Sequence, residues 1–236
     1  MKIKILFDAE KNGNKFFTGW GISCLIDNKI LFDTGENPVY LLYNMNLMGV
    51  KIADINTIVI SHDHFDHTSG LWNLLNQNQD LDLYICPDFS QEFKNKAKNY
   101  SCKITEDDSF RKITDSIYTT GQIKGNFGFN CTSEQVLILN TEKGLTILTG
   151  CAHPGIIKIV KYIKEHIKRN IYLVMGGFHL FNESERKIEQ ISNELKKLNV
   201  QCIGPSHCTG SDAKNSFRKL YKENYVDIAV GQTIEV

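Results

Sequence analysis

The run SHDHFDHTSG, residues 61–70, constrains this chain more than any other feature. It packs His62, His64, Asp66 and His67 into six residues directly after the apolar stretch Thr57, Ile58, Val59, Ile60. Such a stretch reads as a strand, and the loop after a strand end is where a rigid scaffold presents ligands. Side chains two apart in extended backbone point to one side, so His62 and His64 can share a metal ion, while Asp66 and His67 on the next turn face a second. Three imidazoles and a carboxylate suit zinc, iron or manganese better than calcium or magnesium. Four such side chains could also close a purely structural zinc site. The rest of the sequence has to decide between the two.

The C-terminal half supplies the deciding pattern. After Ser133, strand-like segments at 136–140, 145–149, 171–175 and 200–203 alternate with helical segments starting at Gly155, Glu183 and Ser211, a βαβ rhythm. His153, His179 and His207 each follow one of these strands. Three successive units thus deliver a histidine to one sheet edge, the edge where α/β sheets place their ligands. Only His166, in a lysine-rich helical segment, stands apart. Ile156, Val160, Ile163 and Ile167 mark the buried face of that helix, and Lys158, Lys161, Lys164 and Lys168 a solvated one. In the next helix Ile188, Ile191, Leu195 and Leu198 repeat the spacing, with Asn182 and Glu185 as a capping box.

The N-terminal half is strand-rich, with segments at 3–7, 21–26 and 29–32. Asn37 followed by Pro38 starts a helix over 38–48 that Gly49 stops, and a short exposed helix is expected over 89–98. No linker, repeat or low-complexity tract interrupts the chain, so a single domain of two strand-rich layers flanked by helices is expected. Apolar residues at 42% and charged residues at 23% can build its core without disulfides. Lys plus Arg and Asp plus Glu both number 27, which leaves no excess positive charge for general nucleic-acid binding. A small-molecule substrate is the expected partner, and the oligomeric state is left open. No run approaches the roughly 20 apolar residues of a membrane span, so a cytoplasmic location is expected. The seven cysteines are scattered and read as reduced thiols.

The H-x-H-x-D-H pattern of residues 62–67 resembles the signature of the metallo-β-lactamase superfamily. The segments ILFDTG (30–35), SHDHFDHTSGL (61–71), TGCAHPGI (149–156), GGFHL (176–180) and PSHCTG (205–210) are similar to its dihydropterin-ribofuranosyl-aminobenzene phosphate synthase-like branch. The resemblance implies an α/β fold, the αββα sandwich, as a single domain over residues 1–236, with a two-metal site at one edge. By position, His62 and His64 hold the first metal, and Asp66, His67 and His207 the second. Asp33 orients the metal loop without being a ligand. No histidine lies between His67 and His153. Cys151 stands in the place of the bridging residue, and His153 replaces the missing imidazole. Glu134 and Cys131 are alternatives, and a mononuclear site stays open.

The resemblance further implies hydrolysis by a metal-activated hydroxide held between two divalent ions, zinc first and manganese or iron next. A phosphodiester or another phosphorylated small molecule is the expected substrate. A lactone or thioester hydrolase, or an iron-dependent oxidoreductase on the same fold, is the alternative. Asp66 and His179 are the expected catalytic residues, His179 as general acid or oxyanion stabiliser, with a structural role as its competing reading. Lys124 is either a phosphate contact or an exposed loop lysine.

Overall fold

The computed structural model describes residues 1–125 and 132–236, so Cys131 lies outside the described residues. The chain forms two compact units, residues 1–108 with 229–236 and residues 109–228. The first unit opens with β1 (Lys2–Phe7), β2 (Ser23–Ile26) and β3 (Ile30–Phe32), which pair antiparallel in sequence order. Helix α1 (Pro38–Leu47) follows, capped by the Asn37 side chain, which accepts from the N–H groups of Val39 and Tyr40. Then come β4 (Thr57–Val59), α2 (Phe65–Thr68), α3 (Leu71–Gln77), β5 (Asp82–Ile85), α4 (Gln91–Ala97) and β6 (Lys103–Glu106). From β3 to β6 the pairing is parallel. Leu25, Leu31, Ile58 and Leu83 of the sheet pack with Leu41 and Met45 of α1 and Leu71, Leu74 and Leu75 of α3. Each such side chain, buried to 6% exposure or less in this cluster, contributes about 1.5–3 kcal/mol.

The second unit begins with β7 (Arg111–Thr114), β8 (Ile117–Thr119), β9 (Leu137–Thr141) and β10 (Gly144–Thr149), all antiparallel neighbours. Two crossovers follow: α5 (Ile156–His166) into β11 (Ile171–Gly177), and α6 (Glu185–Lys197) into β12 (Val200–Ser206). Helix α7 (Ser211–Tyr221) comes after β12. Strands β10, β11 and β12 are parallel neighbours, as the βαβ rhythm requires. Ile147, Val174 and Ile203 on them lie beneath Ile156, Ile159, Val160 and Ile163 of α5, Ile188 and Leu195 of α6, and Phe217 of α7. The last strand, β13 (Thr233–Glu235), returns to the first unit beside β1.

One cap differs from expectation. Helix α6 is capped by Ser184, whose hydroxyl accepts from the Lys187 N–H. Asn182 lies in the preceding turn, which Glu183 N–H closes onto the Leu180 carbonyl. Ser184 wins because it alone directly precedes the first helical residue. Among the described residues no helix is long and apolar enough to cross a membrane. The six described cysteines are all buried thiols.

Candidate metal centre

In the first unit, β3 and β4 end side by side, Phe32 opposite Val59. Asp33 comes one residue after β3 and Ser61 two residues after β4, so both fall at the same sheet edge. The Asp33 carboxylate is fully buried and collects three hydrogen bonds. Its Oδ1 accepts from the Ser61 N–H at 2.6 Å, and its Oδ2 accepts from the Ser61 hydroxyl and from His67 Nδ1, both at 2.7 Å. Ser61 has one proton and gives it to Asp33. Its oxygen must therefore accept from His62 Nδ1, 2.8 Å away. The chain of bonds engages Nδ1 of both histidines and leaves each Nε2 turned away from Asp33, on the side where a metal could be met once any proton there is lost.

Those donor atoms come in pairs. His62 Nε2 is 3.1 Å from His64 Nδ1, and His67 Nε2 is 3.3 Å from an Asp66 oxygen. Corners of a tetrahedron built on bonds of about 2.0–2.1 Å are about 3.3–3.4 Å apart. Both pairs thus have a spacing that two ligands of one ion could adopt. The same residues are clamped from behind. Thr34 donates twice to the His67 carbonyl, and the Asp63 side chain, no ligand, accepts from the Ser90 N–H. Gly21 is required here, since a Cβ on it would fall 1.8 Å from the Asp66 carbonyl oxygen.

Burial disfavours charge on His67, but Asp33 and Asp66 override it and push its pKa up to about 10. Burial also pushes the Asp33 carboxyl up, against the opposing pull of His67 and Ser61. The pair therefore holds a proton at neutral pH that a cation must expel.

In the second unit the three parallel strands end in register, Thr149 beside Gly176 and Gly177 beside Ser206. Cys151 and His153 follow the first, His179 the second and His207 the third. Gly177 is needed for this closeness, because a Cβ there would fall 2.3 Å from the Gly150 carbonyl and 2.7 Å from the Cys208 sulfur. The donor atoms of Cys151, His153 and His179 lie within 4.8 Å of one another, a thiol and two imidazoles able to hold a metal. His153 and His207 are buried, and His179 is half-buried.

Glu134 does something the sequence did not disclose. Fully buried, it accepts from the N–H groups of Gly150, Cys151 and Ala152 with one oxygen, and from the His153 N–H and His153 Nδ1 with the other. Both oxygens are thus engaged in shaping the 150–153 loop, and it stands to His153 as Asp33 stands to His67. Burial works against its charge, yet His153 and the loop N–H groups hold its carboxyl below the usual value. Cys208 was not singled out either. Burial opposes its thiolate, but Cys151, His179 and His207 hold its thiol well below the usual value. Lys124 is exposed, and its backbone carbonyl accepts from Lys158 Nζ at 2.7 Å.

Asp33, Ala152, His179 and His207 all have positive φ, between 46° and 59°. Non-glycine residues seldom adopt this region, and such strain gathers at functional sites.

Residues 25–99 match the model of the metallo-β-lactamase superfamily. The chain is 31% identical to 7,8-dihydropterin-6-methyl-4-(β-D-ribofuranosyl)-aminobenzene-5'-phosphate synthase of Methanocaldococcus jannaschii, over 93% of this chain and 91% of that protein. This chain belongs to the metallo-β-lactamase superfamily. A crystal structure of a metal-dependent hydrolase of the β-lactamase superfamily aligns with a TM-score of 0.84 at 28% identity, covering 100% of this chain and 99% of the other. A metallo-β-lactamase-fold protein from Bacillus subtilis aligns at 0.71 with 11% identity over 99% of both chains, a likeness of fold alone. The mixed α/β fold of the superfamily, which typically binds divalent metals, is therefore the fold of this chain.

Proposed function

We propose that this protein is a metal-dependent hydrolase acting on a phosphodiester or another phosphorylated small molecule. The observation that carries the reading is the Asp33 network, which presents His62 with His64, and His67 with Asp66, as two donor pairs at 3.1 and 3.3 Å. His62, His64, Asp66, His67, Cys151, His153 and His207 are the proposed ligands of two divalent ions, zinc before manganese or iron. Such ions supply Lewis acidity and a nucleophile at neutral pH. The protein's own part is to fix the ligands. Asp33 and Ser61 hold the two tautomers, and Glu134 anchors the loop that carries Cys151 and His153. His179, in strained backbone and half-buried, is proposed to protonate the leaving group or hydrogen-bond its developing charge. A phosphorylated substrate is favoured because the archaeal relative's name specifies a 5'-phosphate.

The test is a metal-reconstituted screen across phosphodiester, lactone and thioester chromogenic substrates, with metal counted by mass spectrometry. Two ions per chain and phosphodiester turnover are expected. One ion per chain at full loading would sink the binuclear reading. The relative's name also favours a second reading, a synthase with a phosphorylated product. Full metal loading without turnover of any ester in the screen would favour it.

His179→Ala is expected to lower kcat and kcat/KM together by about 10²-fold or more while metal content stays unchanged. Loss of an ion would make His179 a ligand instead. Wild-type rates with both ions present would make it structural.

Metal uptake should also depend on pH in a defined sense. The His67 pKa of about 10 means that Nε2 is protonated in the metal-free protein at neutral pH. Binding must release that proton, so apparent affinity should strengthen about tenfold per pH unit for it, up to its pKa. Calorimetry in buffers of different ionisation enthalpy should count the proton. A proton count of zero would contradict the assignment of His67.

A further inference from the structure

Beside His153 and His179 the second unit has a cavity of about 740 Å³. A phosphate group and its leaving atom fill a small part of such a space, which is the size of a pocket for a whole small molecule. Its walls come from the 152–155 loop, α5, the segment after β11 and α6. Ile157, Tyr162 and Ile191 give it an apolar side, and Lys158, Lys161 and Lys187 a basic one, against Glu165 and Glu183.

We infer that this cavity holds the non-reacting part of the substrate, an amphipathic small molecule with an apolar body that ends in a phosphate or equivalent dianion gripped by Lys161 and Lys187. The inference rests on the hydrolase reading for the reacting end alone. Lys158 is already spoken for by the Lys124 carbonyl at 2.7 Å. Lys161 pairs with Glu194 of α6 at 3.3 Å, but both side chains are partly exposed, and an exposed pair of this kind contributes about 1 kcal/mol at most, so a dianion can displace it. Lys187, in the first turn of α6, lines the same cavity. The adjoining start of α5 adds to the positive potential. Gly155 offers no side chain to cap it, and a Cβ on Gly155 would meet nothing within 4 Å. An apolar body fits because Ile157, Tyr162 and Ile191 are only partly buried, so their remaining surface gains from a ligand's cover.

Benzylphosphonate, which no hydrolase of this kind cleaves, is the probe, added to zinc-loaded protein with isoleucine methyl groups labelled for NMR. Saturable shifts at Ile157 and Ile191 are expected. In K161E/K187E the dissociation constant should weaken about tenfold, and in K187E alone by a smaller factor. Benzyl alcohol, which has the apolar body without the dianion, should shift these methyl groups only at much higher concentration and equally in wild type and both variants. Equal affinity in wild type and both variants, or shifts confined to isoleucines of the first unit, would overturn the assignment. Failure of the hydrolase reading shows up separately, as benzylphosphonate binding in the cavity together with no ester turnover.

Discussion

His67→Ala is expected to lower kcat/KM by roughly 10³-fold or more and to cost about 3–5 kcal/mol of stability, two effects with different origins. The first is loss of the proposed ion, which would be worth several kcal/mol to the transition state, at 1.36 kcal/mol per tenfold. The second follows from the Asp33 carboxylate, which is fully buried and loses its imidazole partner. A loop position would suggest that only activity suffers, but His67 has no exposed surface and is hydrogen-bonded into the interior. Asp66→Ala is the cleaner probe. Asp66 lies at 6% exposure, and its removal should match the activity loss with a smaller shift in the urea midpoint. Full activity in either variant would remove that residue from the metal centre.

Glu134→Ala is expected to destabilise the protein by at least about 4 kcal/mol and to weaken metal binding at the proposed ligands Cys151 and His153. Four backbone N–H groups and an imidazole lose their acceptor, and each buried donor left unsatisfied costs about 1–3 kcal/mol. Hydrogen exchange at residues 150–153 should accelerate before the strands do. The pH dependence has a definite sign. A carboxyl held below its ordinary value of 4.5 contributes stability that is present above that value and is lost as pH falls through the folded-state pKa. Glu134→Gln should therefore flatten the acid limb of the stability curve. An unchanged limb would show that Glu134 is not the charge responsible.

The first candidate donor group was legible in the sequence because His62, His64, Asp66 and His67 are local, and local spacing survives folding. The second was legible because β10, β11 and β12 carry their histidines just past the strand ends, so a βαβ rhythm alone aligns them. Glu134 was not legible as a loop anchor. A single glutamate before a strand has no spacing that distinguishes a ligand from an acceptor for N–H groups 16 to 19 residues away. Strands β5, β6, β7, β8 and β13 were also missed. β6 and β7 carry mostly exposed or half-buried residues, and without a buried face the period-2 signal is weak. Cap placement at α6 failed for a local reason, since Asn182 and Ser184 are both good caps and only the turn between them decides.

The left-handed backbone at Asp33, Ala152, His179 and His207 sets a limit on how this protein can be engineered or can drift. Thermostabilising searches reward replacements that relax such positions, and glycine at any of them would relieve the steric penalty. At Ala152 the relief removes no functional side chain. At the other three it deletes a proposed ligand, a proposed proton donor or the carboxylate that orients two imidazoles. Selection for heat resistance alone would thus press toward a sturdier and inactive protein, and an active thermostable variant has to find its gains elsewhere, in the two apolar cores.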